Sequence, residues 1–136
     1  YPREKVSSMV TQTPTNTAAY QRAIRLDIRE VTRRLNAALG GTLVSALAGS
    51  KDAKASHKWA KEGGSQPRPE AAKRLTFAYE QWQKVTDVEG EHVARAWFIG
   101  ANPWLEYDTP IHAIREGRLR EVSHAAQALI DDSFSG

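Results

Sequence analysis

The chain has 136 residues, 40% hydrophobic and 26% charged, with no cysteine. That length holds one domain, or two small ones sharing a core; the absent thiols exclude disulfides, a thiolate nucleophile and cysteine-based metal sites. The net charge of +3 conceals a division, because residues 1–69 carry twelve Lys/Arg against five Asp/Glu and residues 70–136 carry seven against eleven.

A basic front and an acidic rear suggest different partners for the two halves, with nucleic acid the first candidate for the basic one. No apolar run approaches the roughly 20 residues of a membrane span, and no leader of the signal-peptide type stands out. The expectation is a cytoplasmic protein that does not engage a membrane.

In chain order, residues 1–17 are polar, contain Pro2 and Pro14 and show no period, which reads as a flexible tail. A helical pattern follows, with Ile24, Ile28, Val31, Leu35 and Leu39 spaced by four and three on one face. Arg22, Arg25, Arg29, Arg33 and Arg34 lie mostly off that stripe, and Gly40-Gly41 ends it. Thr42 is expected to cap a short second helix carrying Leu43, Val44, Ala46 and Leu47, closed by Gly49.

After the polar turn Ser50-Lys51-Asp52, a third helix is expected over 53–62, stopped by Gly63-Gly64. It has little to bury beyond Trp59, and turns Lys54, Ser56, His57, Lys58 and Lys61 outward. Such a helix is presented to something.

Pro67-Arg68-Pro69 is a stiff connector into a fourth helix with the stripe Ala72, Leu75, Tyr79, Trp82 and Val85. Thr86-Asp87-Val88-Glu89 has the form of a capping box opening a fifth helix, which runs to about position 101 with Val93, Ala94, Trp97 and Phe98 on one side. Asn102-Pro103 must interrupt that helix, since proline pushes its predecessor out of the α region. An aromatic bend then leads to Thr109-Pro110, a hydroxyl cap followed by a proline at the first helical position. Gly117 closes this short helix, and a last one is expected over 118–131, with Leu119, Val122, Ala126 and Leu129 on one face and an acidic tail trailing out behind it. No strand signal survives, so the class is all-α.

Catalytic patterns are missing. His57, His92, His112 and His124 fall in four segments, without the i, i+4 pair of a zinc helix or an evident Asp or Ser partner. The pairs Glu89/Glu91 and Asp131/Asp132 sit at a helix start and a chain end, where dipole and solubility roles suffice. The glycine pairs lack the Gly-Lys-Ser/Thr of a phosphate loop. The expectation is no enzyme, no cofactor and no metal.

The second helix, turn and third helix have the spacing of a helix-turn-helix, whose second helix enters the major groove while the first crosses the backbone. On that logic Ala53, Lys54 and Lys58 face bases, Lys51, His57, Lys61 and Arg68 lie near phosphates, and Trp59 anchors the helix onto helices one and four. Leu43-Val44-Ser45-Ala46-Leu47-Ala48-Gly49, ten residues, then Trp59-Ala60-Lys61-Glu62-Gly63 and Pro67 resemble the Xre/Cro helix-turn-helix family.

Trp97-Phe98, Asn102-Pro103-x-Leu105, Thr109-Pro110, Ile114, Gly117 and Val122 closely resemble the C-terminal toxin-binding domain of MbcA/ParS/Xre antitoxins. The resemblance covers about residues 25–136. It implies an Xre/Cro-like bundle over 18–86 followed by a small helical toxin-binding region over 87–136. The function implied is that of a type II antitoxin, covering a RES-domain toxin that degrades NAD or transfers ADP-ribose, and repressing its own promoter DNA as a homodimer that also forms a hetero-oligomer with the toxin.

Toxin contacts are expected from Trp97, Phe98, Asn102, Trp104, Leu105 and Tyr107 at the bend and from Asp131, Asp132 and Phe134 at the tail. Aromatic anchors of this kind are enriched at interface centres, and an acidic tail can mimic an anionic cofactor. The rival readings are a stand-alone, phage-derived helix-turn-helix regulator without a toxin, and an adaptor with an idle basic face.

Overall fold

A computed structural model describes residues 27–135 of the chain. The tail expected over 1–17, and the part of the first helix expected before Asp27, lie outside the described residues. Within them the chain forms seven α-helices and one 3-10 turn, with no strand beyond an isolated bridge between Asn102 and Asp108. The all-α class is as expected. No helix among the described residues is long and apolar enough to cross a membrane.

Helix α1 (Ile28–Leu39) starts at Asp27, whose extended backbone and carboxylate take the N–H groups of Arg29 (3.1 Å) and Glu30 (3.3 Å). Val31, Leu35 and Leu39 are buried along it, as the spacing predicts. Gly40, at φ 90°, turns the chain directly into α2 (Gly41–Leu47). No side chain caps α2, so Thr42 does not have the role expected of it; the Val44 N–H already reaches the Gly40 carbonyl (3.1 Å).

Helix α3 (Ala55–Ala60) is six residues long, shorter than the expected 53–62. Asp52 sets its start, with Oδ1 accepting the Lys54 N–H (2.9 Å) and the carbonyl accepting the Ala55 N–H (3.0 Å). Ser56 points inward rather than outward and is wholly buried. Its hydroxyl donates to the Gly41 carbonyl (2.9 Å) and its N–H to Ser45 Oγ (2.9 Å), while Ser45 Oγ donates to the Ala53 carbonyl (3.1 Å). Two serines thus lock α2, the turn and α3 into one unit, with their buried polar atoms satisfied.

Helix α4 (Pro69–Glu89) runs straight through the capping box expected at Thr86. Thr86 Oγ1 caps nothing, and the break comes at Gly90 (φ 88°), from which α5 (Glu91–Ile99) starts. Leu75, Tyr79, Trp82 and Val85 are buried as expected, but Ala71 and Ala78 share the inner face and Ala72 is only half-buried. On α5, Ala94 and Phe98 are buried, whereas Val93 is exposed.

The 3-10 turn Pro103–Leu105, α6 (Pro110–Arg115) and α7 (Leu119–Ser135) complete the chain. Thr109 caps α6 by accepting the His112 N–H (3.1 Å). The final helix continues through the acidic end that was expected to trail out.

The largest buried side chains, Leu35, Leu47, Leu75, Phe98, Leu105 and Ile114, belong to one cluster. That cluster spans the expected boundary at 86/87, which falls inside α4. Three arginines bind the rear of the chain to the front. Arg95 donates to the Ala38 carbonyl (2.8 Å) in the last turn of α1, and Arg115 to the carbonyls of Ala46 (2.6 Å) and Ser50 (3.2 Å) around the end of α2. Arg74 donates to the Ile114 carbonyl (3.1 Å) in the last turn of α6. Each guanidinium brings donors and positive charge to the carbonyl end of a helix, where Ala46 and Ile114 also accept the N–H groups of Gly49 and Gly117 (2.9 Å each).

Glu30 accepts from Arg33 and Arg34, and these bonds hold its carboxyl down to about 2 from an ordinary 4.5. A folded-state value below the unfolded one means the contribution is present above pH 4.5 and lost as pH falls toward 2. Glu30→Gln should therefore flatten the acid side of the stability curve in that window, read by thermal melts against pH, and high salt should shrink the difference because the group is exposed.

Candidate functional site

Two sets of exposed side chains stand out, one at the α2–α3 turn and one at the bend after α5. At the turn, Lys51, Ala53, Lys54, His57, Lys58, Lys61 and Arg68 are all exposed. Their scaffold is pinned from several sides. Ser50 Oγ accepts the Asp52 N–H (3.0 Å), and Arg115 holds the Ser50 carbonyl.

Lys58 Nζ lies 2.9 Å from Asp52 Oδ2. The Lys54 backbone N–H first, and Lys58 second, hold the Asp52 carboxyl below its usual range. The ring of His57 lies over Gly41, where a Cβ would overlap it. Glycine at the start of α2 is what lets that imidazole sit so close.

Trp59 is half-buried rather than fully enclosed, packed against the edge of the core. Helix α3 ends one residue later, and Lys61 is extended (φ −83°, ψ 135°). Trp59 lines a groove of about 710 Å³ together with Lys51, Arg68, Arg74 and Arg115, with Glu70 and Glu116 also on its walls. Arg74 and Arg115 are engaged with carbonyls there, which leaves Lys51 and Arg68 as the outward cations of the groove.

At the bend, Asn102 organises the chain. Its side-chain oxygen accepts the Trp104 N–H (2.8 Å), its carbonyl accepts the N–H groups of Leu105 and Tyr107 (2.8 Å each), and its own N–H donates to the Asp108 carbonyl (3.0 Å). Glu106 (φ 57°) and Tyr107 (φ 67°) are both left-handed, a conformation uncommon for residues with a Cβ. The result sends Leu105 into the core and leaves Trp104 66% and Tyr107 71% exposed.

The nine residues expected to meet a toxin therefore divide. Phe98 and Leu105 are wholly buried and belong to the core, not to a surface. Asn102 is buried, and its polar groups shape the bend. Trp97 is half-buried, its ring edge-on to Phe98 at 5.1 Å. Trp104, Tyr107, Asp131, Asp132 and Phe134 are exposed, Phe134 by 77%. Trp97, Trp104, Leu129 and Asp132 line one cavity of about 310 Å³, so the bend and the end of α7 form a continuous surface. Asp131 accepts from Gln127 (2.9 Å).

His112 has the acidic partner that the sequence did not reveal. Its Nδ1 is 2.8 Å from Asp108 Oδ2, an oxygen that also accepts from Arg118 (3.0 Å). The hydrogen bond from His112 is the main reason the Asp108 carboxyl titrates below its ordinary range. The i, i+4 spacing of Asp108 and His112 around the Thr109-Pro110 start was the available signal. Among the described residues no group of three or more His, Asp or Glu is placed to hold a metal ion. No protein-family model matches the chain, and comparisons with curated proteins and with solved structures gave no match either.

Proposed function

We propose that this chain is a type II antitoxin of the Xre/MbcA/ParS kind: a helix-turn-helix regulator of its own promoter that also covers a RES-domain toxin acting on NAD. It works by binding, with no catalytic step and no cofactor of its own. The observation that carries the reading is the division of exposed groups on one core, with cations ringing α3 and bare aromatics gathered at the bend and the end of α7. Base-edge and phosphate contacts from lysines suit the first. Rigid aromatic anchors beside a carboxylate suit a protein partner at the second.

The test separates the two surfaces by co-expression with a neighbouring RES-type toxin. Lys54→Ala with Lys58→Ala should weaken promoter binding by roughly tenfold or more, the size expected for losing two contacts to DNA, and leave neutralisation intact. Trp104→Ala with Tyr107→Ala should release the toxin and leave DNA binding intact. Unchanged DNA affinity in the first pair removes α3 as the reader. If no toxin co-purifies with the native chain, the stand-alone regulator takes the place of this reading.

A further inference from the structure

The cleft of about 310 Å³ between the bend and α7 has two indoles and one carboxylate on its walls. Trp104 is 66% exposed, and Trp97 is half-buried with its ring edge-on to Phe98. Asp132 brings the carboxylate, about one turn beyond Ala128 on α7. Among the described residues Asp132 has no hydrogen-bond or ion-pair partner. No Lys, Arg or His lies between Arg95 and His112, or after His124, so neither wall carries a cation. A carboxylate near the C-terminal end of a helix opposes the helix dipole, so this one does nothing to stabilise α7.

We propose that this cleft seats an arginine side chain of a protein partner, with its guanidinium against the Trp104 and Trp97 rings and paired to the Asp132 carboxylate. The argument is complementarity of charge and shape. A guanidinium is planar and weakly hydrated, stacks on aromatic faces and offers a carboxylate two parallel N–H donors. An ammonium matches the charge but not the flat face or the paired donors. An apolar side chain would fill the space but leave the carboxylate desolvated and unpaired. The chain makes the same ring contact elsewhere, where Arg95 lies 5.9 Å over Trp82.

The proposal rests on the antitoxin reading only for the identity of the partner, one of whose arginines would enter here. The preference itself is measured without a toxin, on the full chain labelled with nitrogen-15. The probe is a capped Gly-Arg-Gly peptide, and its lysine and neutral citrulline counterparts are the controls. Trp97→Phe and Trp104→Phe assign the two indole N–H signals of the cleft.

The arginine peptide should move those two signals and leave the Trp59 and Trp82 signals in place. A dissociation constant on the order of 1 mM is expected for one cation–ring contact and one ion pair. The lysine peptide should bind several times more weakly, and the citrulline peptide at least roughly tenfold more weakly. Asp132→Asn, at an exposed position, should cost roughly tenfold with helical circular dichroism unchanged, and Asp132→Glu should recover to within about threefold of native.

No shift at Trp97 and Trp104, equal binding of the citrulline peptide, or undiminished binding by Asp132→Asn overturns the proposal. So does a native chain that takes the peptide only after Arg3→Gln, Arg22→Gln and Arg25→Gln together, which would make its own first residues the occupant. Shifts at both indoles on concentrating the chain alone would give the cleft to a second copy and overturn it too. If the peptide binds as expected and no toxin co-purifies, the antitoxin reading falls and this one stands. If a toxin is captured but the native chain shows no preference for the arginine peptide, the reverse holds.

Discussion

Phe98→Ala is expected to lower the stability of the chain by about 3–5 kcal/mol, the range for truncating a fully buried Phe or Trp. Phe98 has no exposed surface; its ring meets Trp82 of α4 at 6.0 Å and Trp97 edge-on at 5.1 Å. Arg95, one turn earlier on α5, lies 5.9 Å over the Trp82 ring and donates to the last turn of α1. Removing the Phe98 ring leaves a cavity where α4 and α5 meet and slackens the support of that arginine. A domain stable by 5–15 kcal/mol loses a large share of its margin to such a change.

The measurement is chemical denaturation followed by tryptophan fluorescence and by far-ultraviolet circular dichroism. Because one cluster of buried side chains runs from Leu35 to Val122, the two signals should shift together to a lower midpoint. The proposed promoter and toxin binding should then fail at the same denaturant concentration, although Phe98 is wholly buried and meets the bend surface only through Trp97. If DNA binding survives while the aromatic bend melts, the chain holds two cores and the single-cluster account fails.

What could be read in the sequence was periodic or local. The stripes through Leu35 and Leu39, and through Leu75, Tyr79, Trp82 and Val85, are buried as their spacing implies. The Thr109-Pro110 start is a true cap, whereas α5 already stops at Gly100 and Asn102, expected to end it, instead caps the start of the 3-10 turn. The errors came where a local motif met a stronger competitor. Thr86 matches a capping box, yet a glycine four residues on is free to adopt φ 88°, so the helix continues to it.

The aromatic bend shows a second limit. Trp104 and Leu105 are adjacent apolar residues, and the left-handed pair Glu106-Tyr107 beside them, which contains no glycine to announce it, goes with one being bare and the other buried. Long-range ties leave no local trace at all. Arg115 and the carbonyls it holds are 65 and 69 residues apart. Ser56 is another case, polar in a row of outward residues but buried because Gly41 and Ser45 supply its partners.

Gly64→Ala is the second large effect, and it bears on how α3 is held. A Cβ at Gly64 would overlap the Lys58 carbonyl oxygen and sit 3.0 Å from that of Lys61, which already accepts the Gly64 N–H at 2.9 Å. Both obstacles are backbone, so relief requires unwinding the last turn of α3. Overpacking against backbone costs about 1–3 kcal/mol, and the upper part of that range is expected here.

The neighbouring glycines serve as controls. Gly63 has φ 77° with nothing near its missing side chain, so Gly63→Ala should cost only the strain of a left-handed residue, about 1 kcal/mol. Gly41→Ala meets the imidazole of His57, an exposed side chain that can swing away, and should cost least. Functionally the order differs. Gly64→Ala moves Lys58 and Lys61 and should weaken the proposed promoter binding along with stability, whereas Gly41→Ala displaces His57 alone and reports on that side chain with the fold intact. Thermal melts of the three variants beside promoter titrations distinguish these effects. Equal losses for Gly64→Ala and Gly63→Ala would mean that the close approach to Lys58 is not what fixes the end of α3.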